Sequence, residues 1–322
     1  MPSTLSVAPW RVFGVEVRAL RRLSPSFLRV TFTGPDLDRF ADNGYDQRIK
    51  LALPLAGDTV AELPDGPDWY ARWRALPADR RSPVRTYTVR AVRPAVAEVD
   101  VDLVLHGDGG PATRWARRAR LGDQLAVVGP DAGYDGEHGG IEFRPPPAGT
   151  LLLAGDETAA PAICAILERL PADARGQAMI EVPDPADVLP VAAPAGMTVT
   201  WLPRADGGHG SRLVPAVAAA AAELLPDADG PLSGAGAPLD ARPALALAGV
   251  GAGTAGTLTE VDVDRDILWE VPTLADPAPL YAWLAGEAGV IRVLRRHLVT
   301  ERGLDRGAVA FMGYWRLGRT AD

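Results

Sequence analysis

The chain is 322 residues long, 47% hydrophobic and 23% charged, with a formal net charge of −8 at pH 7. That length holds two domains, each able to bury a core, and the acidic balance excludes nucleic acid or an anionic membrane held by the overall field. A single cysteine, Cys164, excludes an intramolecular disulfide framework and a CxxC metal site.

Residues 1–20 scatter Arg and Glu and contain no apolar h-region, so no secretory signal is expected. From about residue 10 to residue 130 the pattern is β-rich. Val12–Val17, Leu28–Thr33, Ile49–Leu53, Thr86–Arg90, Val99–Leu105 and Gln124–Val128 are short, often alternating segments, separated by turns such as Gly34-Pro35 and Gly129-Pro130. This spacing predicts an antiparallel barrel or sandwich. A helix is expected over about 112–121, and residues 54–84 read as a long loop without clear periodicity.

Arg144 to Gly149, with three consecutive prolines, reads as a rigid linker. Beyond it, Thr150–Ala154 is a continuous apolar run followed by a turn and a helix over about 158–170. Strands at 178–182 and 198–202 and a helix over Leu213–Leu225 continue a β/α alternation that predicts a doubly wound parallel sheet. Leu213–Leu225 is the longest apolar run, but Pro215 breaks it and it is too short to span a bilayer. A cytoplasmic protein without membrane insertion is expected. Residues 226–257, rich in Gly, Pro and Ala, read as a flexible insertion. A buried strand at 280–285, a helix over about 287–302 and a last strand at 309–314 complete the chain. The expected division is 1–148 and 149–322.

Two motifs carry chemistry. Arg85, Thr86, Tyr87, Thr88 and Arg90 lie on one strand, where alternate side chains share a face. Arg85 and Tyr87 can therefore lie along one elongated ligand, a cation for a phosphate and a ring for a flat heterocycle, with Thr88 reaching it from the next pleat. An ordinary exposed strand explains the same residues. The second motif, His106-Gly-Asp-Gly-Gly110-Pro-Ala112-Thr113-Arg-Trp115, leads from a strand through glycines into a helix. Free N–H groups and the positive helix end suit a pyrophosphate. Gly110 permits close approach, and Thr113 adds a hydroxyl. A plain strand-to-helix turn is the alternative.

In order and spacing these motifs resemble the flavin-binding half of the ferredoxin–NADP reductase superfamily, and most closely the siderophore-interacting protein family. Arg85, Tyr87, Thr88 and Arg90, the stretch His106 to Ala116, Gly122-Asp123 with Gly129-Pro130, Gly155 to Ala162, Ala285 to Ala288 and Gly313 to Arg316 carry the resemblance over nearly the whole chain. It implies an FAD-binding β-barrel followed by an NAD(P)H-binding-like α/β domain. It implies FAD held by Arg85, Thr86, Tyr87, Thr88, His106, Gly110, Ala112 and Thr113, with Thr158 and Trp315 approaching the isoalloxazine. The implied activity is cytoplasmic reduction of a ferric siderophore to release Fe(II), with electrons from NADH or NADPH by way of the flavin and no dedicated acid–base residue. Aromatic residues ending a chain also commonly complete a core, and Trp315 is open to that reading.

One departure narrows this. Asp156 and Glu157 occupy the turn where superfamily reductases carry a glycine-rich nucleotide loop, and two carboxylates are poor company for a pyrophosphate. Asp156 or Thr158 can instead cap the following helix. A donor such as reduced ferredoxin, or another protein partner, therefore stays open, as does a flavin-free siderophore-binding protein. Arg48 and Lys50 alternate on one strand and are candidates for the siderophore, with the Arg292, Arg295 and Arg296 helix face as a second candidate; solvated surface explains both equally. Lys50 is the only lysine in the chain. Gly251 to Gly256 matches G-x-G-x-x-G, but no helix start follows, so it is read as a decoy. The four histidines lack metal-ligand spacing; His138, His209 and His297 read as solvated.

Overall fold

The computed structural model describes residues 7–55, 58, 60–61, 63–105, 110–146, 149–225, 268–271 and 278–318. The expected insertion at 226–257, its G-x-G-x-x-G run and His106 lie outside the described residues.

Six strands close a barrel: β1 (Trp10–Arg22), β2 (Phe27–Thr33), β3 (Arg48–Ala52), β4 (Val84–Arg93), β5 (Glu98–Val104) and β6 (Gln124–Pro130), in the order β1-β2-β5-β4-β3-β6. Alternation does the sorting. Phe13, Val15 and Val17 of β1, Val30 and Phe32 of β2, Ile49 and Leu51 of β3, and Val99, Val101 and Leu103 of β5 point into one buried cluster, as period-two patterning requires.

β4 extends beyond the expected 86–90 at both ends and changes partner midway. Its first half pairs with β3, from Ala52 opposite Val84 to Arg48 opposite Thr88. Its pairing with β5 starts only at Val89, opposite Val101, with a register shift before Ala91. Among the described residues, the β5-facing edge of β4 from Val84 to Thr88 therefore has no strand partner.

Residues 54–84 contain a helix that periodicity does not reveal, α1 (Trp69–Arg74). None of its residues is buried. Tyr70 stacks on Trp73 at 5.5 Å and the Arg81 guanidinium lies 5.5 Å from the Trp73 ring centre. A helix ordered by such a surface ladder has no core-facing stripe for sequence patterning to detect. Past it, α2 (Pro111–Ala116) follows β5.

The second half is a six-stranded sheet, ordered β10-β12-β11-β7-β8-β9, of β7 (Thr150–Gly155), β8 (Arg175–Val182), β9 (Gly196–Pro203), β10 (Trp269–Glu270), β11 (Leu280–Glu287) and β12 (Val309–Trp315). All neighbours are parallel except the edge strand β10, which runs antiparallel to β12. Leu151 and Leu153 of β7 pack toward α3 (Ala160–Arg169), while Leu152 and Ala154 pack toward α4 (Leu213–Leu224) and α5 (Ala288–Arg295). Covering both faces is what makes β7 read as an unbroken apolar run.

The expected helix at 287–302 divides into α5 and a π-helical turn, Arg296–Glu301. Arg295, read as part of an exposed basic face, is instead buried: it pairs with Glu270 at 2.9 Å and lies over the Phe311 ring. Polar contacts join the two halves. Asp187 accepts from the Ser24 hydroxyl, the Ser26 N–H and the Ser26 hydroxyl at 2.6, 2.8 and 2.7 Å. Arg90 of β4 grips both Glu168 oxygens on α3. Asp46, fully buried, accepts from the Glu142 and Phe143 N–H groups and from the Trp283 indole on β11.

Candidate functional site

The barrel contributes the bare edge of β4. Arg85 donates through Nη1 to the Val84 carbonyl at 2.9 Å. The half-buried Tyr87 ring packs against the barrel core, as does Ala112 of α2. Burial pushes the Tyr87 phenol pKa up, against a lowering effect from Arg85, so the ring stays neutral at any physiological pH. Thr88 is buried and Thr86 is exposed. A backbone edge left unpaired is a hydrogen-bonding template, and here it lies beside an aromatic ring.

The start of α2 faces no competing cap. Gly110 precedes Pro111, and among the described residues no side chain caps the helix start and a Cβ added at Gly110 would meet nothing within 4 Å. Thr113 is buried within α2, 6% exposed, so its hydroxyl is less accessible than the motif suggests.

The sheet contributes the turn after β7 and the end of β12. Asp156 is buried; its Oδ1 accepts from the Thr158 N–H at 2.9 Å and the Thr158 hydroxyl at 2.5 Å. Its Oδ2 accepts from the Glu287 N–H and from the Trp315 indole, both at 2.8 Å. Thr158 and Trp315 are thus brought onto one carboxylate. Asp156 rather than Thr158 organises the turn into α3, since Ala159 and Ala160 also donate to its carbonyl. Burial, then the neighbouring Glu157, raise its pKa to about 6. Glu157, wholly buried, is held by both guanidinium nitrogens of Arg204 at 2.7 and 2.8 Å. Glu181 accepts from the N–H groups of Gly210, Arg212 and Leu213 at the head of α4. Every carboxylate of this crevice is answered from within the protein.

Two residues that the sequence reading did not make site candidates belong to this region, and one of them, His209, is not solvated as expected. His209 meets Trp315 edge-on at 4.7 Å, and its buried Nδ1 has no partner among the described residues. Tyr314 stacks on Trp269 at 6.0 Å, and its hydroxyl is likewise buried and unpartnered. A lone loop histidine gives no periodic signal, and Tyr314 gains its meaning only from the register slip that offsets it before Trp315.

The siderophore candidates separate. Arg48 sits opposite Thr88 and Lys50 opposite Thr86, so both side chains share the face opposite Ile49 and Tyr87. Arg48 is engaged: it pairs with Glu142 and its guanidinium lies 4.5 Å from the Trp269 ring centre. Lys50 donates to the Thr86 hydroxyl at 2.7 Å, and burial, then Arg48, lower its pKa. Of the helix candidates, Arg292 and Arg296 are exposed, and Arg295 is turned inward. Among the described residues no His, Cys, Asp or Glu cluster could hold a metal, and no helix is long and apolar enough to cross a membrane.

An elongated, phosphate-bearing, flat ligand fits this set as it stands among the described residues: an open backbone edge, an aromatic ring, a glycine-led helix start with no side-chain cap, and two orphaned buried polar atoms.

Known proteins match over the same span. Residues 16–134 fit the profile of the siderophore-interacting FAD-binding domain and residues 148–318 that of the siderophore-interacting protein. An uncharacterized protein of Mycobacterium tuberculosis is 35% identical over 310 residues, 95% of this chain and 91% of that one. The ferric vibriobactin reductase ViuB of Vibrio cholerae is 29% identical over 300 residues, 93% of this chain and 88% of its own. Among solved structures, the siderophore-interacting protein SipS from Aeromonas hydrophila superposes with a TM-score of 0.63 at 29% identity, covering 96% of this chain and 93% of that one.

Proposed function

The chain belongs to the siderophore-interacting protein family, and from that premise we propose that it is an FAD-dependent reductase that releases iron from ferric siderophores. The observation that carries the proposal is the stretch of β4 bearing Arg85, Tyr87 and Thr88, which among the described residues has no strand partner toward β5, with Tyr87 and Ala112 of α2 packed on the same barrel core. On this reading Tyr87 covers one face of the isoalloxazine and Arg85 meets the phosphates. Gly110, Ala112 and Thr113 shape the pyrophosphate seat. Thr158 and Trp315 address the ring from the sheet. When bound, FAD supplies a centre that takes up two electrons and releases them one at a time.

The substrate's chemistry explains why no acid–base residue is required. Fe(II) is less highly charged and softer than Fe(III), so hard oxygen donors hold it far less tightly. The chain's task is to bring the chelate to the flavin edge and to keep the flavin in place. Lys50, with Thr86 beside it, is the cation proposed to meet the siderophore. Arg48 supports that face from its Glu142 and Trp269 contacts. We take NADH or NADPH as donor; reduced ferredoxin is the second reading, favoured by the two carboxylates that occupy the turn after β7.

Purified protein supplied with FAD should turn yellow and should reduce a ferric siderophore when given NADH, NADPH or reduced ferredoxin in turn. Absence of turnover with all three donors sinks the reductase reading, and failure to bind FAD sinks the cofactor assignment with it.

A further inference from the structure

In open α/β sheets, ligands sit outside the carboxyl ends of the strands, at the point where strand order reverses. Here the reversal falls between β7 and β11, because the chain runs from β7 outward to β8 and β9 and returns to lay β11 on the other side. Asp156 bridges that point. It leaves the end of β7 and accepts the N–H of Glu287 at the end of β11, at 2.8 Å. The approach is close: a Cβ at Gly286, where φ is +149°, would lie 2.7 Å from Oδ2. The N–H groups that Asp156 takes, from Thr158 and Glu287, are donors that an anionic ligand at a switch point would otherwise use.

All four partners of this carboxylate are donors: the Thr158 N–H and hydroxyl on Oδ1, and the Glu287 N–H and Trp315 indole on Oδ2. With each oxygen engaged twice, the group is placed to hold its neighbours rather than to exchange protons with a ligand. What it holds is the exit of β12. Trp315 is fixed at its indole nitrogen by Asp156 and met edge-on by His209, while the Glu287 carboxylate accepts the Leu317 N–H at 3.2 Å two residues later.

We propose that Asp156 is a positioning residue that locks the Trp315 indole and the Thr158 hydroxyl into one fixed arrangement across the sheet's switch point. Its importance to turnover rests on the reading that this crevice borders the flavin; the locking itself does not. The acidic turn is then a feature of the site in its own right, with a built-in carboxylate taking the donors of a nucleotide loop. Protonation has a defined consequence. A neutral carboxyl can give its O–H only to the one partner that also accepts, the Thr158 hydroxyl, which must turn to receive it; with the charge gone, the hold on the Glu287 N–H and Trp315 indole weakens. The charged and titratable groups around it are Glu157 paired with Arg204, Glu181, Glu287, His209 and the Tyr314 phenol. Its pKa of about 6, raised by burial first and by Glu157 second, puts that weakening just below neutrality.

The test is 19F NMR of the full chain labelled with 5-fluorotryptophan, with and without FAD. Trp315→Phe assigns the Trp315 resonance among the eight tryptophans. Asp156→Asn, which sets an NH2 against two donors, should shift and broaden that resonance while the Trp10 and Trp283 signals stay in place. In the unsubstituted protein the same resonance should move with a midpoint near pH 6; in Asp156→Asn it should not titrate. In the FAD-loaded protein, Asp156→Asn and Trp315→Phe should each lower kcat for ferric-siderophore reduction by about ten-fold with KM held. The double variant should be no worse than either. An unmoved Trp315 resonance in a folded Asp156→Asn protein, or multiplicative losses in the double variant, overturns the proposal. A Trp315 resonance that responds in a protein that binds no FAD upholds the locking and sinks the flavin reading instead.

Discussion

The edge of β4 and the carboxyl edge of the parallel sheet are both polar, and the fold treats them in opposite ways. Among the described residues, the backbone of β4 from Val84 to Thr88 lacks a strand neighbour toward β5, and Gly110 has open space where a side chain would stand. At the sheet edge, Asp156, Glu157, Glu181 and Glu287 are each answered by internal donors. Buried polar groups are normally hydrogen-bonded, so the useful contrast is between demand met inside the chain and demand left for a ligand. The barrel edge offers capacity. The sheet edge has largely used its own, though among the described residues His209 Nδ1 and Tyr314 Oη are buried without a partner.

The sharpest way to break that contrast is to remove one answer at the sheet edge. Arg204→Met leaves Glu157, wholly buried, without its bidentate partner. An uncompensated buried charge costs about 3–5 kcal/mol. Urea unfolding should register a loss of that size, and the double variant Glu157→Gln, Arg204→Met should recover much of it. A loss below about 1 kcal/mol for Arg204→Met would mean that water reaches Glu157 and that the edge is less closed than its burial indicates.

Next in size is a pH effect at the junction of the two halves. Burial lifts Asp46 to about 6, against lowering contacts from Phe143, Glu142 and Trp283. Its folded pKa lies above its unfolded value, so the native state binds the extra proton between about pH 4 and 6. The contribution is therefore fully present at low pH and is lost as pH rises through 6. Subtracting the stability profile of Asp46→Asn from that of the unsubstituted protein should isolate a decline across this window. Asp156 shifts in the same direction, so Asp46→Asn should flatten the decline without abolishing it. A difference profile that rises with pH would place Asp46 in a far wetter setting.

On the barrel side, Tyr87→Ala should weaken FAD binding by about ten-fold or more, the scale expected for losing one aromatic stacking partner, with little change in unfolding free energy beyond the lost packing. Titration monitored by flavin fluorescence reads it directly. Unchanged affinity would move the isoalloxazine away from β4.

How far these regions were legible in sequence follows from what each depends on. Both architectures could be read because their signals are local: alternation in β1 and β5, and an unbroken apolar run in β7 covered on both faces. The Arg85 to Arg90 strand could be singled out because its side-chain set is contiguous. Its unpaired edge could not, since that depends on where β5 begins to pair. The acidic turn at Asp156 stood out as a departure, yet its partners Glu287 and Trp315 are more than a hundred residues away and meet it only once β7, β11 and β12 are adjacent. Arg295 was misassigned for a related reason: helical periodicity gives the angle of a side chain but not the neighbour, Glu270, that draws it inward.

The smallest expected effect concerns Cys164, on the face of α3 that looks toward the barrel. It is 3% exposed, and burial pushes its thiol pKa up to about 12, with Arg90 opposing the shift. A thiol so placed holds almost no thiolate near neutrality, and the thiolate is the reactive form. Iodoacetamide at pH 8 should therefore leave the folded protein unmodified by mass spectrometry, while the urea-unfolded chain takes one adduct. Cys164 lies beside Arg90 and Glu168, the pair that ties β4 to α3. Alkylation of the folded protein would thus report that this contact opens, and that β4 is not held against α3. Protection should persist in Asp156→Asn, whose effect is confined to the far end of β7 and to Trp315, and it should weaken in Glu168→Gln. Equal labelling of both variants would mean that the two edges move as one unit.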